Sequence, residues 1–312
     1  MDGTISRDGY PPDTLARMQI HAPMKVTDLE EGAANVPVNT VHTARWFTPP
    51  ATPGVTRHRH TYPDGLHLDA LLVNQDSDVL VVNFHGALDR DRYIPPRFER
   101  LRTSLELPYS AIFFGDPKVG AHETVALSWY IDYHEVCAAW AVAAAQTIGA
   151  RHIVFTGSSG GGFAALQSAA HVPGSVALPF NPQTSVHGYR TQDGGWSTQR
   201  KYIEIFHRDL APENIWAIDF SVDWTETLGE AFSAVRRYQR PVPNHVLYAT
   251  STIDYHHPVH LPPFLSAAEA GGNRDRVTVY EYNDGQVGHY PPTNVRFHAA
   301  VHEAVAMART GQ

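Results

Sequence analysis

RHIVFTGSSGGGFAALQSAAHV, residues 151–172, joins three local signals in one run. HIVFT is β-branched and aromatic and reads as a strand. The glycines that follow make a tight turn, and FAALQSAA is a run of good helix formers. A sharp strand-to-helix turn lifts the residue at its apex clear of the sheet and aims the first N–H groups of the helix at whatever lies in front. The positions two residues to either side of the apex are crowded and must be small. Gly157 and Gly161 meet that demand for Ser159, whereas Ser158 would have Thr156 and Gly160. Ser159 is therefore the candidate nucleophile. The competing reading, a phosphate-binding loop, lacks both the P-loop lysine and the dinucleotide-binding glycine spacing.

Working outward, the same rhythm of apolar run, turn and helix recurs. SDVLVVNFHG (77–86), YSAIFFGDP (109–117), SVALPFNP (175–182), PNHVLYATSTID (243–254) and RVTVYEYND (276–284) read as strands. DYHEVCAAWAVAAAQTI (132–148) and NVRFHAAVHEAVAMART (294–310) read as helices. Upstream, ARWFTPP (44–50) and GLHLDALLVN (65–74) read as an antiparallel pair. Strands alternating with helices predict an α/β fold: a mainly parallel sheet covered on both faces. Residues 1–43 show no sustained period and read as an irregular arm, with one domain over 44–312. Between residues 184 and 240 the strand rhythm breaks into two expected helices, at 197–210 and 225–239, with Trp196, Trp216 and Trp224 close by; this is an expected lid insertion.

Composition narrows the function classes. The 312-residue chain has a formal net charge of -8 and no extended basic run, which argues against a nucleic-acid partner. Its one cysteine, Cys137, excludes an internal disulfide and fits a reducing compartment. The start of the chain lacks a cationic segment followed by an apolar one, and no apolar run is long enough to span a bilayer. A cytoplasmic protein with no membrane partner is the expectation; oligomeric state is not legible.

The turn in its strand and helix context resembles the α/β-hydrolase superfamily, over about Val79 to the C-terminal helix. That family orders its residues serine, acid, histidine, each on a loop after a strand. The resemblance implies His289 as the base, in the loop between the last strand and the last helix, and Asp254 as the acid at the end of the penultimate strand. Asp284 and the more distant Asp223 are rivals for the acid. For the oxyanion hole it implies the N–H of Gly160 and one from the loop Asn83-Phe84-His85-Gly86-Ala87, Ala87 being the expected donor and Gly86 the alternative. This loop departs from the triple-glycine form of many lipases.

His85, Gly86, Asp116 and Gln183 fall on the same expected rim and are candidate substrate contacts, Asp116 with its neighbour Lys118; a structural hydrogen-bonding role for His85 and a turn-forming role for Asp116 compete. Two histidine clusters, His58 and His60 with His67, and His256 and His257 with His260, lack the companions of a metal site. No metal and no cofactor are expected. The resulting expectation is a serine hydrolase of the carboxylester type acting on a small-molecule or glycan ester. The alternatives are an O-acyltransferase to a sugar hydroxyl, since GSSGGGFAAL followed by NPQT also resembles α/β-hydrolase relatives of bacterial surface-glycan pathways, and a non-catalytic scaffold.

Overall fold

Strands that are apolar on both faces fold only where both faces can be covered, and the computed structural model, which describes residues 21–211 and 213–311, is built around such strands. Nine strands form one sheet: β1 (Val38–Val41), β2 (Gly54–Thr61), β3 (His67–Asn74), β4 (Val79–Phe84), β5 (Ser110–Gly115), β6 (His152–Ser158), β7 (Val176–Phe180), β8 (His245–Ser251) and β9 (Val277–Tyr282). Their spatial order is β1-β2-β3-β5-β4-β6-β7-β8-β9. From β5 to β9 all neighbours are parallel, while β3 runs antiparallel to both β2 and β5. Every residue of β4, β5 and β7 is buried.

The described helices, in chain order, are α1 (Leu101–Leu105), α2 (Pro117–Ala121), α3 (His134–Ile148), α4 (Gly160–Ala169), α5 (Ser197–Phe206), α6 (Ala234–Tyr238), α7 (His257–Ala270) and α8 (Asn294–Thr310). In β4, Leu80, Val82 and Phe84 join the core on the face of α3 and α4, while Val79 and Val81 join the core under α8. α4 is buried along its whole length, as a helix without a polar face must be. α8 is amphipathic, burying Phe297, Ala300, Val301, Ala304, Val305 and Ala308 at helical spacing. Thr293 caps its start by accepting from the Arg296 N–H, and Gly311, at φ 72°, ends it.

Four local readings change. The antiparallel partner of β3 is Gly54–Thr61, not residues 44–50. Its outward Arg57 and Arg59 break the apolar pattern, and both bond to the buried Asp69 of β3. Val38–Val41, inside the segment read as an irregular arm, is an edge strand parallel to β2, so the sheet begins before residue 44; residues 1–20 of that segment lie outside the described residues. The helix expected over 225–239 is two short 3-10 turns and α6, because Gly229 sits between the turns at φ 80° and ψ -165°, a conformation open essentially to glycine. His257 opens α7 and His260 is buried in it, a helix absent from the elements expected above because Pro262 and Pro263 interrupt its pattern.

Residues 184–240 leave the sheet after β7 and return to it at β8. Tyr202 and Phe232 from this segment enter the main core, and Trp224 packs against both. Trp196 stacks on Phe220, while Trp216 is exposed.

Candidate active site

Ser159 stands between the end of β6 and the start of α4 with φ 58° and ψ -120°, a backbone that an L-residue adopts only under constraint. The constraint is visible in the glycines. A Cβ on Gly157 would lie 2.5 Å from the Gly161 carbonyl carbon, and one on Gly161 would lie 2.4 Å from the Phe84 oxygen. The turn is closed by the Ser159 N–H donating to the Phe180 oxygen at 2.9 Å and by the Phe163 N–H donating to the Ser159 oxygen at 3.1 Å. Close packing of backbone on backbone thus holds the serine half-exposed at the carboxyl end of the parallel strands, where open α/β sheets place their ligands.

Asp254 and His289 meet as the sequence suggested. His289 Nδ1 and Asp254 Oδ2 are 2.8 Å apart, and the carboxylate is fully buried. The other carboxylate oxygen accepts from the His256 N–H at 2.8 Å. A carboxylate accepts, so Nδ1 donates and the lone pair of His289 lies on Nε2. The two rivals are engaged elsewhere: Asp284 bonds Thr293 and Arg296, and Asp223 bonds Thr225 and Arg236.

The histidine loop is fixed by Asn181, which ends β7 at φ 43°. Its amide donates to the Tyr282 hydroxyl and the Tyr290 carbonyl, both at 3.0 Å, and its oxygen accepts from the Ser251 N–H at 2.6 Å. One buried side chain therefore ties β7, the end of β8 and the loop that carries His289. Its sequence signal was limited to its place at the end of a strand.

The partner of the Ser159 hydroxyl is Gln183, whose Nε2 donates to Oγ at 2.8 Å; among the described residues no hydrogen bond joins Ser159 to His289. Gln183 is fully buried, and its Oε1 accepts from the Trp129 indole N–H at 2.5 Å.

Gly86 packs against the turn, a Cβ there falling 3.0 Å from the Ser158 oxygen and 3.6 Å from the Ser159 Cβ. Its N–H is taken by Glu99 at 2.8 Å, which removes it as a free donor. The N–H groups of Gly160 and Ala87 donate to no protein acceptor among the described residues.

Three of the expected substrate contacts carry hydrogen bonds within the protein. His85 accepts from the Asp116 N–H through Nε2 and donates to the Gly86 carbonyl through Nδ1, so both ring nitrogens are used. Gly86 is held by Glu99, as above. The Asp116 carboxylate accepts from the N–H groups of Lys118 and Tyr130 and from the Ser128 hydroxyl. Lys118 is likewise paired, with Asp132 at 2.6 Å and the Tyr202 hydroxyl at 3.0 Å. A cleft of about 310 Å³ opens beside the end of β5, between Arg59, His67, Pro96 and Gly120, and does not reach Ser159 or His289.

The first histidine cluster dissolves into separate bonds: His58 to Thr56, His60 to the Val41 carbonyl and His67 to Thr61. Elsewhere Asp254, His256 and His289 each bring one ligand atom within 4.8 Å of the others. Two of these three are already bonded to each other, so a cation there would have to displace that bond. His256 lies against His289 with ring centroids 3.9 Å apart, and neither of its ring nitrogens has a hydrogen-bond partner. The carbonyls of Arg190 and Asn181 face the ring without closing a bond. Burial, reinforced by the neighbouring His289, lowers its pKa to about 4 and keeps it neutral at neutral pH.

No family model and no curated protein sequence matches the chain. Solved structures do. An acetyl xylan esterase from Paenibacillus sp. R4 superposes with a TM-score of 0.50 at 16% identity, covering 81% of this chain and 84% of that one. The esterase Pf2001 of Pyrococcus furiosus gives 0.50 at 15% identity over 83% and 94% of the two chains. The chain has the α/β-hydrolase fold. The Gap123 glycosylation-associated complex of Streptococcus agalactiae also contains this α/β-hydrolase arrangement, with a TM-score of 0.53 at 12% identity over 81% of this chain and 46% of that one. No described helix is long and apolar enough to cross a membrane.

Proposed function

We propose that the protein is a serine hydrolase of the carboxylester type, working through an acyl-enzyme on Ser159. The observation that carries this reading is the backbone of Ser159, held at φ 58° by glycines that admit no Cβ. A serine with only a packing role has no need of such strain. The fully formed Asp254–His289 pair supports it.

In the proposed reaction Ser159 Oγ attacks the ester carbonyl carbon while His289 Nε2 takes the hydroxyl proton. Asp254 holds the imidazole in the donating tautomer and stabilises the imidazolium. The carbonyl oxygen becomes an oxyanion facing the unpaired N–H groups of Gly160 and Ala87. As the intermediate collapses, His289 returns the proton to the leaving alkoxide. Water then attacks the acyl-enzyme as His289 takes its proton, and His289 passes that proton to Ser159 Oγ as the acid is released. The Ser159–His289 hydrogen bond closes when Ser159 rotates toward the base, since such contacts tighten in the substrate complex.

A second reading keeps the first half and replaces water by a sugar hydroxyl. It is favoured by the fold shared with a glycosylation-associated protein and with an esterase named for a glycan ester, acetyl xylan. Both readings require an activated Ser159. Incubation with a fluorophosphonate probe, read by mass spectrometry of the intact protein, is expected to give one adduct on Ser159 that disappears in Ser159→Ala and slows greatly in His289→Ala. Folded protein that takes up no probe leaves the scaffold alternative.

A further inference from the structure

Gln183 is fully buried, yet its amide spans two groups of opposite use: the Trp129 indole on one side and the Ser159 hydroxyl on the other. An indole N–H can only donate. The Gln183 oxygen must therefore face Trp129, and its NH2 must face Ser159. This settles the direction of the second bond. Ser159 Oγ accepts from Gln183, and its own proton stays free. Trp129 is itself immobile, wholly buried at φ 55° with its ring edge-on to Tyr189 and Tyr202.

We propose that Gln183 is a positioning residue for the nucleophile, which orients the Ser159 hydroxyl by donating to it and so reserves the serine proton for His289. The inference rests on the acyl-transfer reading above. As the proton leaves, negative charge grows on Oγ, and an N–H already donating to that atom strengthens its bond. Trp129 acts one step further out by fixing which end of the amide faces the serine. The sequence offered Gln183 only as a pocket-lining residue after a strand; its donor role follows from the indole, which sits 54 positions away.

The test reverses the polarity of one bond. In Gln183→Glu the carboxylate can still accept from Trp129, but its second oxygen now accepts the Ser159 proton and diverts it from His289. Protonation of the new carboxyl restores a donor. Other ionisable groups around Gln183 are His260, bonded to the adjacent Thr184, and Tyr189 and Tyr202 against Trp129. Burial shifts His260 toward its neutral form and both tyrosines toward their protonated forms. His289 is present in parent and variants alike, and Gln183→Met, which adds no ionisable group, shows the pH dependence that the rest of the site contributes.

Labelling rates with the fluorophosphonate probe are measured from pH 5 to 8. The expected result is Gln183→Glu slower than parent by about tenfold or more at pH 8, the ratio recovering as the pH falls. Gln183→Met, which fills the space without a donor but leaves the Trp129 N–H unpaired, is expected to be slow at every pH and to melt somewhat below parent while still folding, and Trp129→Phe to be intermediate. A ratio for Gln183→Glu that does not move with pH, or a Gln183→Met that labels as fast as parent, overturns the proposal. If Gln183→Glu does not fold, the Gln183→Met comparison decides alone. Parent protein that takes up no probe instead overturns the acyl-transfer reading itself.

Discussion

Asp254 and His289 are joined through Oδ2 and Nδ1 at 2.8 Å, with the carboxylate wholly out of solvent and the imidazole partly in it. A buried carboxylate with one accepting oxygen on the imidazole dictates which ring nitrogen carries the proton. Asp254→Asn, whose amide can present a donor instead, is expected to favour the wrong tautomer and slow probe labelling by about 10³–10⁴ in folded protein. Asp284→Asn, which loses only its bonds to Thr293 and Arg296, is expected to stay near the parent rate. Equal losses in the two variants would remove Asp254 from the reaction.

Asn181 ties the histidine loop to the sheet by its side chain, bonding Tyr290 in the loop, Tyr282 at the end of β9 and Ser251 at the end of β8. Asn181→Ala frees that loop, and displacement of a reacting group by about 1 Å can lower rates about 10²-fold. The expected outcome is a large drop in labelling rate with the pH at half-maximal rate preserved, because the base is misplaced, not removed. Unchanged labelling would mean that the loop holds its shape without Asn181.

The nucleophile turn has no room for a methyl group at Gly157, where a Cβ would sit 2.5 to 2.7 Å from three backbone atoms. Backbone cannot step aside as a side-chain tip can, so Gly157→Ala is expected to lower the melting temperature by roughly 5 °C or more. Gly120→Ala is the control: a Cβ there meets nothing within 4 Å, the position is helical, and no loss is expected. Scanning calorimetry of both variants separates local crowding from a general intolerance of substitution.

Buried histidines make stability depend on pH. Burial lowers the pKa of His58 to about 4 and that of His134 to about 3. Both lie below the unfolded value of 6.5, so as the pH falls the unfolded chain takes up these protons first. Stability from the neutral forms is complete above about pH 6.5 and is lost progressively toward pH 4, each such group contributing on the order of 3 kcal/mol. Urea unfolding at pH 7 and pH 5 is expected to show this loss, and His58→Gln, which can keep the bond to Thr56, to reduce it. A free energy that is flat between those two pH values contradicts the argument.

The parallel half of the sheet was legible because its strands are short apolar runs closed by glycine, proline or aspartate, and Ser159 because only glycine fits where Gly157 and Gly161 stand. The other half was obscured by pairing across strands. Arg57 and Arg59 look like surface residues until Asp69 is placed opposite them, a contact set by the antiparallel register of β2 and β3. Helix α7 was hidden by its two interior prolines, Pro262 and Pro263, and with it the buried setting of His256 and His260. The site divides in the same way. Candidates in the strand-end loops followed from order along the chain, whereas the occupation of His85, Gly86 and Asp116 by frame hydrogen bonds depends on Glu99, Ser128 and Tyr130, whose approach no local pattern announces.

Tyr202 and Phe232 root the segment between β7 and β8 in the same packed body as the sheet, and Lys118 bonds the Tyr202 hydroxyl from beneath. That segment cannot swing aside as a flap without opening the hydrophobic interior. A substitution at Tyr202 or Phe232 therefore alters the packing of the whole protein along with the segment that carries it.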